Sequence, residues 1–534
     1  MGMRKRFHPG RVAKSRGGLR LGAPAFFALA VALGPIEAGA DDFEDLLDVL
    51  KAKGVLTEQE FSTLKNGREA KKSAPPAAND VKVKPDGQTP ADAKAKTDDP
   101  VKDEIKTSFK DGFVWESADK RNAIALSGRI QFDYRNFGGA DALNADTFDV
   151  RRAYLGARGK FWDDYEFQVV GDFAGLSGST ASVCSTPTCS TTTVATTGSS
   201  HLDEAYFNVN WWKQARFRFG QFDTPFSLET LMSDRFIDFM ERSWGSTFLA
   251  QGKSRGVMVF GTPTTGIYYG LAYTNHSGKN TNDSNNTADG KDVTGRLAAN
   301  IAEMFQAKDA VYHIGAAFST GHTAVGRAPS ARTDARGITF FNPEPFTGDD
   351  VRRTRYGLEA ALAYGPFKSQ MEYVNANFAG TSAAGESYDR KINTYYLNFA
   401  WLLTGERYAD AYANGVFGRL RPKNNFSPRG SGWGAWEVGL HYTKWDASDF
   451  SLLSVGSTNP GTGVLIPTAT SVPTNEAKGL SLGLKWIANP NTRFLLNYHL
   501  TKFGSPVTVT SSSPGQTVTT DDEREVTLRA QFDF

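Results

Sequence analysis

Two adjacent arginines in the stretch TFDVRRAYLGARG are the first residues whose type and spacing could do chemistry. The apolar alternation of this stretch changes phase by one residue between Val150 and Ala153, and a change of this kind is typical of a β-bulge. A bulge would turn both Arg151 and Arg152, with Tyr154 beside them, toward one face. Guanidinium groups placed in this way bind anions through charge-assisted hydrogen bonds.

A similar change of phase in HLDEAYFNV predicts that Asp203 and the glutamate after it share one face. The segment 223–254 is too apolar for a free loop, and its apolar residues recur at spacings of three and four. This pattern predicts a helical segment packed inside the protein, which would carry Arg235 and Arg242 to a narrow interior site. Binding of a partner at the surface is the alternative explanation for its apolar character.

Patterns typical of enzymes and metal sites are incomplete in this chain. GSTFLAQGKS has six residues between its glycines where a phosphate-binding loop has four. DSNNTADGKDVT has Ala288 and Thr294 where a calcium loop has its glycine and its glutamate. His313, His441 and His499 lie on separate predicted strands without a serine or acid at a readable spacing. We therefore expect no metal, no cofactor and no nucleic-acid partner.

The elements that must position these side chains are strands, because the apolar period is two from about residue 122 onward. The alternating segments are 124–135, 147–161, 165–174, 202–211, 215–222, 255–262, 266–274, 292–303, 309–319, 352–364, 367–378, 391–404, 433–446, 478–488, 492–503 and 524–534. Short connectors interleave with long polar ones, as in outer-membrane barrels with periplasmic turns and external loops. The long segment 405–431 breaks this rule, and we expect it to fold into the barrel mouth.

The fold class predicted is therefore all-β: a sixteen-stranded antiparallel transmembrane β-barrel with an inward-folded constriction loop. The last strand, which ends in Phe534, should pair with the first strand and close the sheet. Arg129 falls on the inner face of the first strand, and inward arginines outnumber inward acids, which would favour anions. One of the paired arginines could instead extend toward lipid headgroups. A soluble β-sandwich or propeller is the alternative fold.

The first 121 residues have a different composition. Residues 1–40 combine a basic start, a short apolar core and an Ala38-Gly39-Ala40 cleavage site, which predicts a signal peptide. Residues 41–68 predict a short helical segment that could pair with copies of itself. Residues 69–121 predict a disordered periplasmic linker, and 122–534 the outer-membrane barrel.

Cys184 and Cys189 lie close together in a Ser/Thr-rich connector. In an exported chain this pair predicts a local disulfide, and two thiols alone are too few for a metal site.

The chain resembles the phosphate- and polyphosphate-selective porins of Gram-negative outer membranes over essentially all of 122–534. The resemblance is carried by LSGRIQFDY, VRRAYLGARGKFWDDYEFQ, LDEAYFNV, RFRFGQFDTPFSLE with FMERS, YYLNFAWLLTGERY and GWGAWEVGLHY. It implies a homotrimer whose arginines lead to a narrow anion site. The residues that match positions along that pathway are Arg129, Arg151, Arg152, Tyr154, Asp203 and Arg242.

One position departs from the family. Phosphate-selective members have a lysine after the Leu-Glu of the constriction loop, and this chain has Thr230. Arg235 could compensate for the missing ammonium group. The function expected is passive diffusion of small anions of the phosphate class through the outer membrane. A weakly selective general porin is one alternative, and an enzyme or receptor on a barrel scaffold is another. Outer-membrane lipid is an expected partner, as is the barrel-insertion machinery, which would read the terminal aromatic residue.

Overall fold

The computed structural model describes residues 105–109, 112–138, 146–174, 183–185, 188–190, 201–276, 278–280, 290–323, 329–343, 351–381, 387–450, 452, 471–510 and 517–534. The predicted signal peptide and the helical segment 41–68 lie outside these residues. So does the rejected calcium loop, apart from its last residues.

Strands dominate the described residues. In chain order they are β1 (Lys106–Phe109), β2 (Phe113–Glu116), β3 (Ala123–Gly138), β4 (Thr147–Phe161), β5 (Tyr165–Asp172), β6 (Val183–Ser185), β7 (Thr188–Ser190), β8 (His201–Trp212), β9 (Ala215–Asp223), β10 (Lys253–Gly261), β11 (Ile267–Asn275), β12 (Lys291–Asn300), β13 (Ala310–Thr323), β14 (Ala331–Arg332), β15 (Thr339–Phe341), β16 (Val351–Tyr364), β17 (Phe367–Thr381), β18 (Ser387–Leu402), β19 (Tyr412–Ala413), β20 (Val416–Phe417), β21 (Ala435–Asp446), β22 (Ser471–Val472), β23 (Glu476–Asn489), β24 (Thr492–Thr510) and β25 (Thr517–Asp533). The helical pieces are single turns: α1 (Leu228–Leu231), α2 (Ile301–Met304), a π turn (Gly245–Leu249) and a 3₁₀ turn (Tyr408–Ala411). No helix in the described part of the chain is long and apolar enough to cross a bilayer.

Sixteen of these strands form one closed antiparallel barrel, so the predicted fold class is confirmed. They are β3–β5, β8–β13, β16–β18, β21 and β23–β25, each paired with its neighbour along the chain. β25 pairs with β3 and closes the ring, and Phe534 adds two backbone hydrogen bonds to Gly128 of 2.9 and 3.0 Å. Each of the sixteen alternating sequence segments corresponds to one barrel strand.

The distribution of polar residues is the reverse of that in a soluble protein. On β25 the side chains of Arg529 and Asp533 point inward and are buried, whereas Leu528 and Phe532 point outward and are 44% and 48% exposed. An apolar outer face suits lipid, and a polar interior must then satisfy its own hydrogen bonds. The interior is therefore where the charged residues of this chain meet.

Both predicted bulges are confirmed. Gln131 of β3 pairs with Arg152 of β4, but the next residue, Phe132, pairs with Val150, which leaves Arg151 as the extra residue. On the other side of β5, Gly171 pairs with Leu202 while Val170 pairs with Glu204, which leaves Asp203 as the extra residue. Each bulge turns two consecutive charged side chains toward the lumen.

Three connecting segments fold into the barrel interior. We call them the long inward loop (224–252), the short inward loop (329–343) and the turn segment (403–434). Two buried apolar clusters hold them. One includes Phe226 of the long loop, Phe340 of the short loop and the wall residue Trp445. The other joins Leu228 to Phe417 of the turn segment.

The long inward loop is packed inside as predicted, but most of it is irregular. Its helical content is limited to α1 and the π turn. The apolar side chains of the loop are buried on both of its sides, and they do not form the single apolar face of an amphipathic helix. The turn segment also folds inward as expected. The Tyr412 hydroxyl contacts Nδ1 of His313 at 2.7 Å, and the carbonyl of Gly415 accepts from Arg296 at 3.2 Å.

The segment just before the barrel contains a hairpin of β1 and β2, with β2 paired to the first residues of β3. These strands lie inside the range 69–121 assigned to a disordered linker, so that prediction does not hold for 106–116. The hairpin forms because β25 leaves the start of β3 without a partner. β2 pairs with this part of β3, next to the end of β25. The ring centroids of Phe113 and Phe534 lie 6.1 Å apart.

Cys184 and Cys189 are directly opposed backbone partners in the hairpin of β6 and β7. Their disulfide remains a prediction.

Candidate functional site

A cavity of about 410 Å³ lies between the long inward loop and the inner wall formed by β3, β4, β5 and β8. All eight residues selected from the sequence line it: Arg129, Arg151, Arg152, Tyr154, Asp203, Thr230, Arg235 and Arg242. Counting every lining residue, eight carry a positive charge and five carry a negative charge. Residues distant in the sequence therefore meet in one cationic space.

The wall arginines meet an acid of the long inward loop. The Asp234 carboxylate forms ion pairs with Arg129 and with Arg152, the latter at 2.5 Å. The Arg129 guanidinium also lies 4.2 Å from the ring centroid of Tyr154. Burial alone would raise the pKa of Asp234, but Arg129 and Arg152 outweigh burial and hold it well below its ordinary value. Asp234 is therefore ionised throughout the physiological pH range.

A second acid of the loop binds the other arginine of the pair. Arg151 Nε donates to Glu241 at 2.8 Å, and Arg529 of β25 approaches the same carboxylate at 3.3 Å. Arg529 is also bound to both oxygens of Asp133, at 2.7 and 2.8 Å. Both paired arginines thus point to the lumen, as the bulge predicted, and neither extends toward lipid.

Asp203 lies at the far side of the cavity and attracts two ammonium groups. Lys279 contacts it at 2.6 Å and Lys253 at 3.6 Å, while the Tyr154 hydroxyl donates to it at 3.3 Å. Lys253 also contacts Asp223 at 2.9 Å. Two lysines therefore add positive charge to the cavity lining, in which Thr230 supplies none.

Thr230 is buried, and its hydroxyl donates to the carbonyl of Ser246 at 3.3 Å. Arg242 is fixed by backbone carbonyls, with Nε 3.0 Å from the oxygen of Glu229 and one terminal nitrogen 2.7 Å from that of Met232. Among the described residues Arg235 has no carboxylate partner, and its Nε donates to Ser233 at 3.3 Å. Burial lowers its pKa to about 10. Arg235 and Arg242 are thus cations that other side chains do not neutralise directly.

One buried acid fixes the long loop to the opposite wall, and a second one braces the loop internally. Glu372 of β17 accepts from the backbone N–H groups of Leu228 and Glu229 at 3.1 and 2.7 Å. Glu229 in turn accepts from the backbone and the hydroxyl of Ser243 at 3.0 and 2.7 Å. The bonds to Glu372 hold the start of the loop against β17, while Asp234 and Glu241 of the same loop reach β4 through ion pairs with Arg152 and Arg151.

Sequence reasoning missed six charged residues of the cavity: Asp234, Glu241, Lys253, Lys279, Arg158 and Asp223. The first two alternate with the two loop arginines in SDRFIDFMERS, and that alternation of sign was a signal for ion pairing. Lys253 begins β10, two positions before the alternating segment 255–262. Lys279 lies in a polar connector, where no alternation of apolar residues indicates which way a side chain points.

The inner-wall histidines do not form a catalytic arrangement. The Ser481 hydroxyl contacts Nδ1 of His499 at 2.7 Å. The Asp334 carboxylate accepts a hydrogen bond from the same hydroxyl at 3.3 Å and approaches the same ring nitrogen of His499. In a catalytic triad the serine and the acid bind opposite ring nitrogens. All three side chains are buried beneath the short inward loop. Within the described residues, no group of three or more histidine, cysteine or acidic residues has the geometry of a metal site.

Comparisons with known proteins agree with this architecture. The family model described as phosphate-selective porin O and P matches residues 124–534. Porin O of Pseudomonas aeruginosa is 26% identical over 420 residues, which cover 74% of this chain and 86% of the relative.

Solved structures with a similar outline include an anion-selective porin from Comamonas acidovorans. It has 14% identity and a TM-score of 0.46, and the match covers 77% of this chain and all of the other. OmpT of Vibrio cholerae has 10% identity and a TM-score of 0.43, with 78% and 98% covered. The match to the family model spans the whole barrel, and this chain belongs to the family of phosphate-selective porins O and P, porins of the Gram-negative outer membrane.

Proposed function

We propose that this porin conducts small anions of the phosphate class by passive diffusion, and that the cavity beside the long inward loop is its anion-selective site. The observation that carries the proposal is the charge of the cavity lining, with eight cationic and five anionic side chains in about 410 Å³. A confined space with excess positive charge raises the local concentration of anions and lowers that of cations.

Unused donors at the cavity support the proposal. The Nε of Arg129 is buried without an acceptor among the described residues, and Arg235 carries its charge without a carboxylate. A buried donor without an acceptor costs free energy, which an anion in the cavity would recover. Lys253 and Lys279 add ammonium groups within the same lining.

The ion pairs in the cavity argue for weak binding. Five cations of the lining already contact carboxylates: Arg129, Arg151, Arg152, Lys253 and Lys279. An anion would gain less from these groups than from unpaired ones, and fast exchange is what a diffusion channel needs. A weakly selective anion porin is therefore the second candidate, favoured by these pairs and by Thr230. The homotrimer implied by the family stays a prediction for this chain.

Planar-bilayer recordings of the purified full-length protein test the proposal. In a salt gradient the reversal potential should show preference for chloride over potassium, and added phosphate should reduce the chloride current. A preference for potassium would contradict the anion function. A chloride current that is indifferent to phosphate would favour the weakly selective porin. A folded barrel without conductance would instead favour the receptor or enzyme alternative.

A further inference from the structure

Asp234 occupies the centre of the most cationic part of the cavity. It forms ion pairs with Arg129 and Arg152 from two neighbouring wall strands, and its side chain is 12% exposed. Arg242 and Lys253 add further positive charge that acts on it. Two arginines in contact and two further cations, from β3, β4, β10 and the long inward loop, thus act on one carboxylate that belongs to the protein itself.

The carboxylate is presented by a tip of the loop whose backbone is fixed independently of it. The Arg493 guanidinium donates to the carbonyl of Arg235 at 2.8 Å, and the Gln531 amide donates to the same carbonyl at 3.3 Å. The Gln131 amide donates to the carbonyl of Asp234 at 3.3 Å. Since these bonds involve the backbone, the position of the loop tip does not depend on the charge of the Asp234 side chain.

The other acids of the cavity are placed differently. Glu241 shares Arg529 with Asp133, so it belongs to a larger wall network. Asp203 contacts lysines and a tyrosine, and no arginine contacts it at ion-pair distance among the described residues. Asp234 alone among the lining acids bridges the two wall arginines Arg129 and Arg152 directly.

We infer that Asp234 is an internal competitor for the permeating anion: its carboxylate fills the guanidinium site formed by Arg129 and Arg152. This inference rests on the proposed anion function and specifies how the same site is tuned. A phosphate ion entering the cavity meets arginines that are already paired and a fixed negative charge beside them. It must displace the carboxylate, or bind beside Arg235 and Arg242 instead.

The consequence is that Asp234 sets both the affinity for anions and the degree of anion selectivity. Its removal frees two guanidinium groups and leaves eight cations against four acids in the lining. The pH cannot produce the same change in the wild type, because Arg129 and Arg152 keep the carboxyl ionised.

The test compares Asp234→Asn with the wild type in planar bilayers. The amide has nearly the same shape and lacks the charge. The phosphate concentration that halves the chloride current should fall by roughly ten- to a hundredfold, the range expected when charge-assisted hydrogen bonds become available. The chloride-over-potassium preference should rise in parallel. Asp234→Ser removes the same charge with a smaller side chain and should act in the same direction, which keeps the test valid if one variant folds poorly.

Asp238→Asn is the matched control. It makes the same change of charge in the same loop, but Asp238 pairs with Lys368 at 2.5 Å and does not line the cavity. It leaves Lys368 buried without its carboxylate and so reports the effect of loosening the loop while Asp234 still fills the guanidinium site; its phosphate block should not strengthen. Asp410→Asn, at an exposed pair with Arg407 in the turn segment, controls for net charge alone.

An unchanged phosphate block in both Asp234 variants, in channels of normal conductance, would overturn the inference. So would an equal change in Asp238→Asn, because the effect would then come from the loop and not from the site. These results are distinguishable from failure of the proposed function, which is read from the reversal potential of the wild type alone. If the wild type prefers potassium and the Asp234 variants shift toward chloride, the proposed anion function is rejected. The inference that the Asp234 carboxylate occupies the guanidinium site would still be supported.

Discussion

The two sides of the barrel interior use the same kinds of side chain for different purposes. On the β3–β8 side, Arg129, Arg152 and Asp203 border an open cavity. On the β16–β24 side, inward charges lie beneath the three inward segments. Examples are Lys368 with Asp238 at 2.5 Å and Lys485 with Glu437 at 2.7 Å, all of them buried.

The difference shows that an inward charge becomes functional or structural according to what covers it. A covered charge loses water and must find a full set of partners, so it fixes a loop in position. The charges at the cavity are just as little exposed (Arg129 5%, Arg152 7%), but they border an empty volume in which an anion can replace a carboxylate partner. The side of the barrel that the inward segments cover therefore supports the side that they leave open.

The largest effect should come from removing the support. In Glu372→Ala the buried N–H groups of Leu228 and Glu229 lose their acceptor, which should destabilise the packed loop by about 2–4 kcal/mol, since each unsatisfied group costs roughly 1–3 kcal/mol. Single-channel conductance should rise and anion preference should fall as the loop leaves the wall. Limited proteolysis within 224–252 measures its release.

Glu372→Gln is the milder control, because its remaining oxygen still accepts one of the two bonds. If Glu372→Ala keeps both the wild-type conductance and the resistance of the loop to protease, the covered side does not support the cavity.

A smaller effect is expected on the open side. Arg151→Ala with Arg152→Ala leaves Glu241 and Asp234 with fewer partners and reduces the lining to six cations against five acids. Phosphate block should weaken about tenfold or more, since charge-assisted hydrogen bonds contribute about 1.5–3 kcal/mol each before desolvation. The measurement is the phosphate dependence of the chloride current, with thermal unfolding to show that the barrel is intact.

Arg121→Ala removes one positive charge at an exposed periplasmic turn, where Arg121 lies 3.5 Å from Asp163, and should leave the block unchanged. Equal weakening in this control would mean that overall charge, and not the cavity, sets the affinity.

The smallest effect concerns pH and the short inward loop. Burial raises the pKa of Asp334 to about 7, although the Ser481 hydroxyl donates to it at 3.3 Å. The neutral acid is favoured in the packed loop, so the packed loop binds more protons than the released loop between about pH 4 and 7. Its stability is therefore full at low pH and decreases as the pH rises through about 7.

Protease resistance of 329–343 should accordingly be higher at pH 5.5 than at pH 8, and Asp334→Asn should remove most of this difference. A pH dependence that survives the substitution would point instead to His499 or Glu525, which face the same loop.

The sequence predicted the barrel well, because a closed sheet in lipid imposes a strict alternation on every strand. The same alternation exposed the bulges at Arg151 and Asp203, since a bulge is visible as a change of phase. The inward position of 224–252 could also be predicted, because the eleven large apolar side chains of this connector require burial.

The remaining features depend on which loop meets which wall. The pairing of Asp234 with Arg129 joins residues 105 positions apart, and Glu372 meets Glu229 across 143 positions. The shape of the loop decides these contacts. That shape depends on irregular packing, which leaves no repeating apolar pattern in the sequence. The hairpin of β1 and β2 was missed for a related reason, since four-residue strands are too short to show alternation.

The junction of β25 with β3 has a consequence for how the barrel assembles. The amide of Gln131 donates to Gln531 at 2.8 Å across 400 residues of sequence. No segment between them can supply the missing partner, so these two edges cannot pair with each other until the other fourteen strands are in place. Ring closure over such a separation is entropically costly and must be among the last events. Until it occurs, two open edges are available to pair with other chains, and an assembly factor that shields them would protect the protein from aggregation.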